Sequence, residues 1–307
     1  MIYSGKHPKS IYVGLTCGIG DFVYATPHFK LLKEKFPQTT IYLGTSSPMI
    51  KEIATEDPFI DHIIYPEFYY PPSKNLKKFF FNQWFFLMRK IKYDMTFFEK
   101  HMDENFIFNY NEKHRIDLFS DMFGVKPGKR RPVIYLNKND RQQADDVIKS
   151  LKLEKNELLI VIAPEVAGDP IRWGERHKKR AWSVENFDRL AQKIKENYQA
   201  KIISFHASYQ KNKFKHMTQY TGFPIRASAD LIDKADLCIG HDSGIAIIAS
   251  CFETKIVSIH CGPSIKFTGN LSPNAKIIYK GQNTSPLSIS VEEVYEAVKE
   301  QITSLGH

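Results

Sequence analysis

The stretch ADLCIGHDSGIAIIASCFETKIVSIHCGPS, residues 235–264, reads as strand, sharp turn, helix, strand and loop. Leu237-Cys238-Ile239 is a short apolar run of the kind found in buried strands. His241-Asp242-Ser243-Gly244 follows, with small polar residues where the chain must turn. Ile245 to Cys251 is a short apolar helix with Asp242 or Ser243 near its N-cap, and Lys255 to His260 is a second buried strand closed by Gly262-Pro263. A turn at the C-terminal end of a strand, feeding a helix, presents unpaired N–H groups and favours an anion such as phosphate. Open α/β sheets bind ligands at that edge. A βαβ unit whose turn binds nothing has the same pattern, so spacing alone leaves both readings open.

Outward from this stretch the same alternation recurs. Ser10 to Thr16 is the first expected strand, Cys17 to Asp21 a glycine turn containing Gly18 and Gly20, Phe22 to Phe36 a helix and Thr40 to Gly44 a second strand. A βαβ unit implies a parallel sheet. The turn resembles the start of a dinucleotide fingerprint, but position 23 is Val where a small residue should stand, and the second strand ends in Gly44-Thr45-Ser46 with no acidic residue for a ribose. A nicotinamide or flavin site is therefore rejected. What remains is Asp21 at the mouth of the turn, either a helix cap or a general base facing a cleft.

Further strands are expected at Asp61 to Tyr65, Tyr93 to Phe98, Val133 to Leu136, Glu157 to Ala163, Lys201 to His206 and Ala275 to Tyr279. Helices are expected at Met49 to Ala54, His114 to Phe123 with Gly124 as C-cap, Asn139 to Leu151, Trp182 to Asn197 with Ser183 as cap, Ser228 to Ala235, and Ser290 to Leu305. Pro224-Ile225-Arg226 reads as extended. The loop Pro164 to Arg180 carries Arg172, Arg176, Lys178, Lys179 and Arg180, cations that suit a diphosphate or simply a solvated loop. Leu76 to Lys92, LKKFFFNQWFFLMRKIK, mixes bulky apolar and basic residues. It suits a helix lying in a membrane interface, or one packed onto the sheet. Two α/β series thus follow one another, with boundaries expected at 1–150 and 151–307, and the last helix free to return to the first domain.

With 307 residues and ordinary apolar and charged fractions, one or two globular domains are implied. No apolar run is long enough to span a bilayer, and MIYSGKHPKS has no apolar core of a secretion signal, so the expected location is the cytoplasm, with a possible peripheral place at an inner membrane. Cys17, Cys238, Cys251 and Cys261 have no zinc or CxxC spacing, and the last three are expected to be buried thiols. The net charge of +9 fits nucleic acid, an anionic membrane or an anionic substrate. No nucleic-acid-binding signature supports the first.

GIGDFVYATPHFKLLKEKFPQTTIYLGT (18–45), DPFIDHIIY (57–65), RAWSVENFDRLAQKI (180–194) and the opening stretch resemble, in order, the motifs of glycosyltransferase family 9, the heptosyltransferases of lipopolysaccharide core assembly. The resemblance implies a GT-B fold, two Rossmann-like parallel-sheet domains facing across a cleft. It implies an inverting, metal-independent transfer needing no cofactor, with an acceptor domain first and a nucleotide-sugar domain second. The donor is ADP-heptose by best match, and the acceptor is a surface glycan or glycolipid. Asp21 sits at the place of the family's base. Asp242, Ser243 and Gly244 match its donor turn, and Arg180, with Lys179 beside it, stands where a lysine usually neutralises the diphosphate. Gln210 is the nearest match to a ribose-holding Glu.

The family's Thr is Ser243 here, its Pro is Ile245, its His is Ile247, and Ser183 replaces the Pro after Trp182. These departures bear on the donor sugar and base more than on the reaction. Two other functions fit the same fold: a non-catalytic or diverged sugar-nucleotide-binding module, which the loss of the His favours, and a sugar-nucleotide epimerase, which would need its own acid and base.

Overall fold

A computed structural model of the chain describes residues 7–67, 75–99, 104–165, 180–206 and 214–306. The chain divides into two compact units, one of residues 1–103 and 116–135 and the other of residues 104–115 and 136–307. Each holds one sheet, and every strand pairing in both is parallel.

In the first unit β1 (Ser10–Gly14), β2 (Thr40–Gly44), β3 (His62–Ile64) and β4 (Met95–Phe98) form a sheet of order β3-β2-β1-β4. α1 (Ile19–Lys35) returns the chain from β1 to β2, α2 (Pro48–Ala54) leads to β3, and α3 (Leu76–Lys92) leads back to β4 on the other side of β1. The order therefore reverses between β1 and β4, and the glycine turn lies at the C-terminal end of β1 beside that switch. Ile11, Tyr12 and Val13 of β1 are completely buried, as a run sandwiched in a parallel sheet should be. α5 (Arg115–Phe123) ends at Gly124, whose φ of +64° is the left-handed C-cap expected from sequence. Val133 to Leu136 is not a strand: the Val133 N–H donates to the Thr26 hydroxyl at 3.0 Å, so the extended segment is held by a side chain instead of a ladder.

In the second unit the sheet order is β10-β9-β8-β5-β6-β7. Its strands are β5 (Leu158–Ala163), β6 (Ala200–His206), β7 (Thr218–Thr221), β8 (Leu237–His241), β9 (Lys255–His260) and β10 (Ala275–Tyr279). The chain runs outward from β5 through β6 and β7, then returns to β8 on the opposite side of β5. This second reversal sets the turns after β5 and β8 side by side. The helices are α4 (Glu104–Asn109), α6 (Lys138–Leu151), α7 (Val184–Asn197), α8 (Ile225–Asp233), α9 (Gly244–Ala249), α10 (Ile265–Thr268) and α11 (Val291–Thr303). α6 begins in a capping box of Asn137 and Asp140, and Asp140 also accepts from Arg226 of α8 at 2.8 Å. α6 thus packs within the second unit, although the sequence reading ended the first domain at residue 150.

α8 starts at Ile225, where an extended segment was expected. Pro224 stands at the N-cap with φ −56°, already suited to entry into a helix. β7 was not foreseen in the sequence, because TQYT is half-exposed and has no apolar run. α11 packs on α7 and β9 through Val294, Val298 and Ile302, all fully buried. None of the four cysteines is in a disulfide. Cys238 and Cys261 are buried as expected, but Cys251 is only half-buried, because it follows the end of α9 in a turn.

Candidate functional site

The turn after β8 and the end of the loop after β5 meet at the switch point of the second sheet. Asp242 continues the strand edge, its N–H donating to the Ile259 carbonyl at 3.1 Å. Its carboxylate Oδ2 accepts from Arg180 Nη2 at 3.1 Å and from the Thr268 hydroxyl at 2.7 Å, and the same Nη2 donates to the Asp242 carbonyl. Burial alone would raise the Asp242 pKa. Arg180, then His260, the Thr268 hydroxyl and His114 outweigh it and hold the carboxyl below its ordinary value. Asp242 is therefore ionised, and Arg180 is clamped by it.

Arg180 is positioned by its neighbour. The Trp182 N–H donates to His241 Nε2 at 2.5 Å, and its indole N–H to the Ile289 carbonyl at 2.8 Å. The ring is edge-on to Phe187 of α7, which is in turn edge-on to His241. Ser183 then caps α7 by accepting from the Asn186 N–H at 3.1 Å. The fully packed Trp182 so fixes the point where the cationic loop rejoins the core.

The loop after β9 closes the other side. Gly262, at φ +90°, takes a left-handed conformation that a side chain would strain, and Ser264 caps α10, which carries Thr268 to Asp242. Asn270 then donates to the Ala246 carbonyl of α9 at 2.8 Å. His114, from the segment between α4 and α5, hydrogen-bonds through Nε2 to the Gly269 carbonyl at 2.9 Å. His260, at the end of β9, is held below its ordinary pKa by burial first and also by Arg180, against the pull of Asp242.

Three buried polar atoms in this cluster have no hydrogen-bond partner among the described residues: Ser243 Oγ, Arg180 Nε and His260 Nδ1. Buried donors and acceptors left in this state are costly in a native protein and point to a ligand-binding role. Ser243 stands at the N-cap of α9 but makes no side-chain cap bond, so its hydroxyl is not consumed by the helix. The thiols contribute no nucleophile: burial pushes Cys238 up to about 12 and Cys261 up to about 11. No group of three or more His, Cys, Asp or Glu able to hold a metal occurs among the described residues.

In the first unit Asp21 lies in the first turn of α1, with Gly18 as the N-cap and Gly20 buried behind it. The Phe22 N–H donates to the Gly18 carbonyl at 3.1 Å, which places Asp21 inside the helix. It is half-exposed at the switch between β1 and β4 and is not the N-cap residue. Arg180, Asp242, Ser243 and Gly244 are thus brought together in one unit, and Asp21, Gly18 and Gly20 in the other. Lys179 and Gln210 lie outside the described residues. Sequence reasoning missed Thr268, His260, His114 and the supporting role of His241. His241 and His260 stand at the ends of β8 and β9, which was their only signal, and Thr268 and His114 had none.

The model of glycosyltransferase family 9 (heptosyltransferase) matches residues 84–296. The chain belongs to glycosyltransferase family 9. Solved structures agree in fold. A family 9 glycosyltransferase from Veillonella parvula superposes with a TM-score of 0.70 at 17% identity, covering 96% of this chain and 97% of that one. The E. coli ADP-heptose lipopolysaccharide heptosyltransferase II gives 0.68 at 13% identity, over 97% and 100% of the two chains. E. coli heptosyltransferase WaaC with ADP gives 0.59 at 11% identity, over 95% and 99%. No curated protein sequence matches the chain. The two parallel sheets are those of the GT-B fold of these heptosyltransferases, and this family 9 chain is a glycosyltransferase.

Proposed function

We propose that this family 9 enzyme transfers a sugar from a nucleotide-diphospho-sugar to a surface-glycan or glycolipid acceptor at the cytoplasmic face of a membrane, with inversion and without a metal ion or cofactor. The observation that carries the reading is the Arg180–Asp242–Thr268 cluster beside Ser243 at a sheet switch point. In this reading Asp242 does two things. Its Oδ2 holds Arg180 in place, and its Oδ1, which no described residue hydrogen-bonds, serves a sugar hydroxyl. The Ser243 hydroxyl and the N–H groups of Ser243 and Gly244 take diphosphate oxygens.

Cleavage of the sugar–diphosphate bond leaves negative charge on the departing nucleoside diphosphate. A preorganised guanidinium in a dry site stabilises that charge as it develops, without reorganising at the moment of reaction. Arg180, with only part of its fork engaged by Asp242, supplies it, and Lys179 adds a second cation. Asp21 accepts the proton of the acceptor hydroxyl as that oxygen attacks the anomeric carbon opposite the leaving group. The two E. coli relatives described above are heptosyltransferases, one of them holding ADP, so ADP-heptose is the donor to test first.

The test is a thermal-shift panel of ADP, UDP, GDP and CMP, each with magnesium or with EDTA. A ligand at a hundredfold excess over its dissociation constant adds about 3 kcal/mol of stability. ADP should raise the melting temperature equally in both conditions, and transfer from ADP-heptose should continue in EDTA. A shift with UDP or GDP alone overturns the choice of donor. A shift that needs magnesium overturns metal independence. Nucleotide binding with no transfer to any lipopolysaccharide-core acceptor makes the chain a sugar-nucleotide-binding module, the reading that Ile247 favours.

A further inference from the structure

α3 is amphipathic with its apolar side turned outward. Placed at about 100° per residue, Leu76, Phe80, Trp84, Leu87, Met88 and Ile91 share an arc of about 120°. An arc of this composition normally faces a core. Here Leu76 and Ile91 are each 70% exposed, Phe80 64%, Trp84 59% and Leu87 55%. The helix is held from its opposite side. Phe85 is its only buried residue, Phe86 lies edge-on to Phe98 of β4 at 4.6 Å between ring centres, and Arg89 pairs with Glu67 at 2.5 Å. The Arg89 guanidinium also lies over the Tyr12 and Phe85 rings. This tether fixes the rotation of the helix about its axis, so the outward display follows from the anchor.

Lys90 and Lys92 border the apolar arc, Lys77 falls within it and Lys78 lies toward the anchored side, all four exposed, and the helix contains no acidic residue. A soluble surface does not ordinarily leave so many large apolar side chains on one face in water. A second copy of this chain is a poor occupant. Either orientation of two paired α3 helices brings lysines against lysines, with no carboxylate on the helix to offset them. A bilayer with acidic headgroups satisfies both halves of the face. Acyl chains take the Leu, Phe, Met and Ile side chains, Trp84 sits at the headgroup level, and the lysines reach the phosphates. No helix among the described residues is long and apolar enough to cross a membrane, so the contact is one of lying on the surface.

We infer that the outward face of α3 docks the first unit onto an anionic phospholipid surface, with the helix lying in the interface plane. The contact is independent of sugar transfer and is measured without any sugar nucleotide. The full chain is floated with vesicles of phosphatidylcholine alone and with vesicles that also contain phosphatidylglycerol, while the emission of its tryptophans is followed. Wild type should float with the acidic vesicles with a blue shift, and less so in high salt. Joint replacement of Phe80→Glu, Trp84→Glu and Leu87→Glu should lower partitioning at least about tenfold. Joint replacement of Lys77, Lys78, Lys90 and Lys92 by Gln should also lower it at least about tenfold on acidic vesicles and remove its salt dependence.

Trp84→Phe should keep binding and lose the blue shift. All these side chains are exposed, so melting temperatures should match wild type. If the glutamate variant melts early, the glutamine variant decides on its own. Failure of wild type to float with acidic vesicles overturns the inference, as does equal flotation of both variants. A wild-type dimer in sedimentation that the glutamate variant breaks, with no lipid binding, assigns the face to a second copy instead.

Discussion

Replacing Arg180 by Met tests the clamp at the centre of the site. Met keeps most of the side-chain length and removes the charge. In the wild type the Arg180 and Asp242 side chains are 12% and 4% exposed, so little water is present to compensate for the loss. The Asp242 carboxylate would keep only the Thr268 hydroxyl. Removing one partner of a buried ion pair costs about 3–5 kcal/mol. For a unit of this size that is a fall in melting temperature of roughly 6–20 °C.

The loss should depend on pH. In the wild type the Asp242 pKa is depressed, so its contribution is present above the unfolded-state value and is lost as pH falls through the folded one. Without Arg180, burial becomes the dominant influence and raises the pKa. The variant then binds its proton more tightly folded than unfolded and loses stability as pH rises. The gap between the two proteins should therefore be smallest in acid and widest near neutrality. Adding Asp242→Asn to Arg180→Met should recover much of the loss, because the orphaned charge is gone. Melting curves of the four proteins at two pH values give the coupling directly. A single-variant loss below about 1 kcal/mol, or strict additivity in the cycle, would refute the idea that Arg180 is held by a buried ion pair.

Three further predictions concern other parts of the chain. Asp57 is buried after α2, with Oδ1 accepting from the Phe59 N–H at 3.0 Å, and burial pushes its pKa up to about 6 from 3.8. Its stabilising contribution is thus complete below the unfolded value and lost as pH rises through about 6. Asp57→Asn keeps the acceptor and drops the charge, so it should add up to about 3 kcal/mol at pH 8 and flatten the stability profile between pH 4 and pH 6. An Asn variant that is less stable at pH 8 would reject this. Asp21→Asn should reduce turnover about 10²–10⁴-fold with donor binding intact, read as kcat against ADP affinity by calorimetry. Full turnover with the true substrates would remove Asp21 from the chemistry. Gly262→Ala places a Cβ at φ +90° and should cost about 1–2 kcal/mol, with weaker nucleotide binding because the loop to Thr268 must shift.

The expectation that failed most instructively is the extended reading of Pro224 to Arg226. Proline argues against helix in the interior and for helix at its start, and only the packing of α8 on α6 selects between them. Arg226 pairs with Asp140, a residue 86 positions away that no local window contains. The same limit explains the site. Asp242 and Ser243 were legible because they follow an apolar strand directly. Thr268, His260 and His114 carry no local pattern, and Asp242 gathers them from three separate segments.

What the sequence by itself determined is most of the strands and helices, though not β7, together with the alternating α/β pattern and the turns with Asp21 and Asp242. Apolar runs, glycine turns and caps are short-range features, and the chain declares them locally. Tertiary structure decided the rest. Strand order, and so the two switch points, depends on pairings between distant segments. The ionisation of Asp242 depends on Arg180, 62 residues away. The facing of α3 depends on where Glu67 and β4 hold it. LKKFFFNQWFFLMRKIK is equally amphipathic whether its apolar arc points in or out, and the Arg89–Glu67 pair together with Phe85 and Phe86 against β4 turns that arc to the outside.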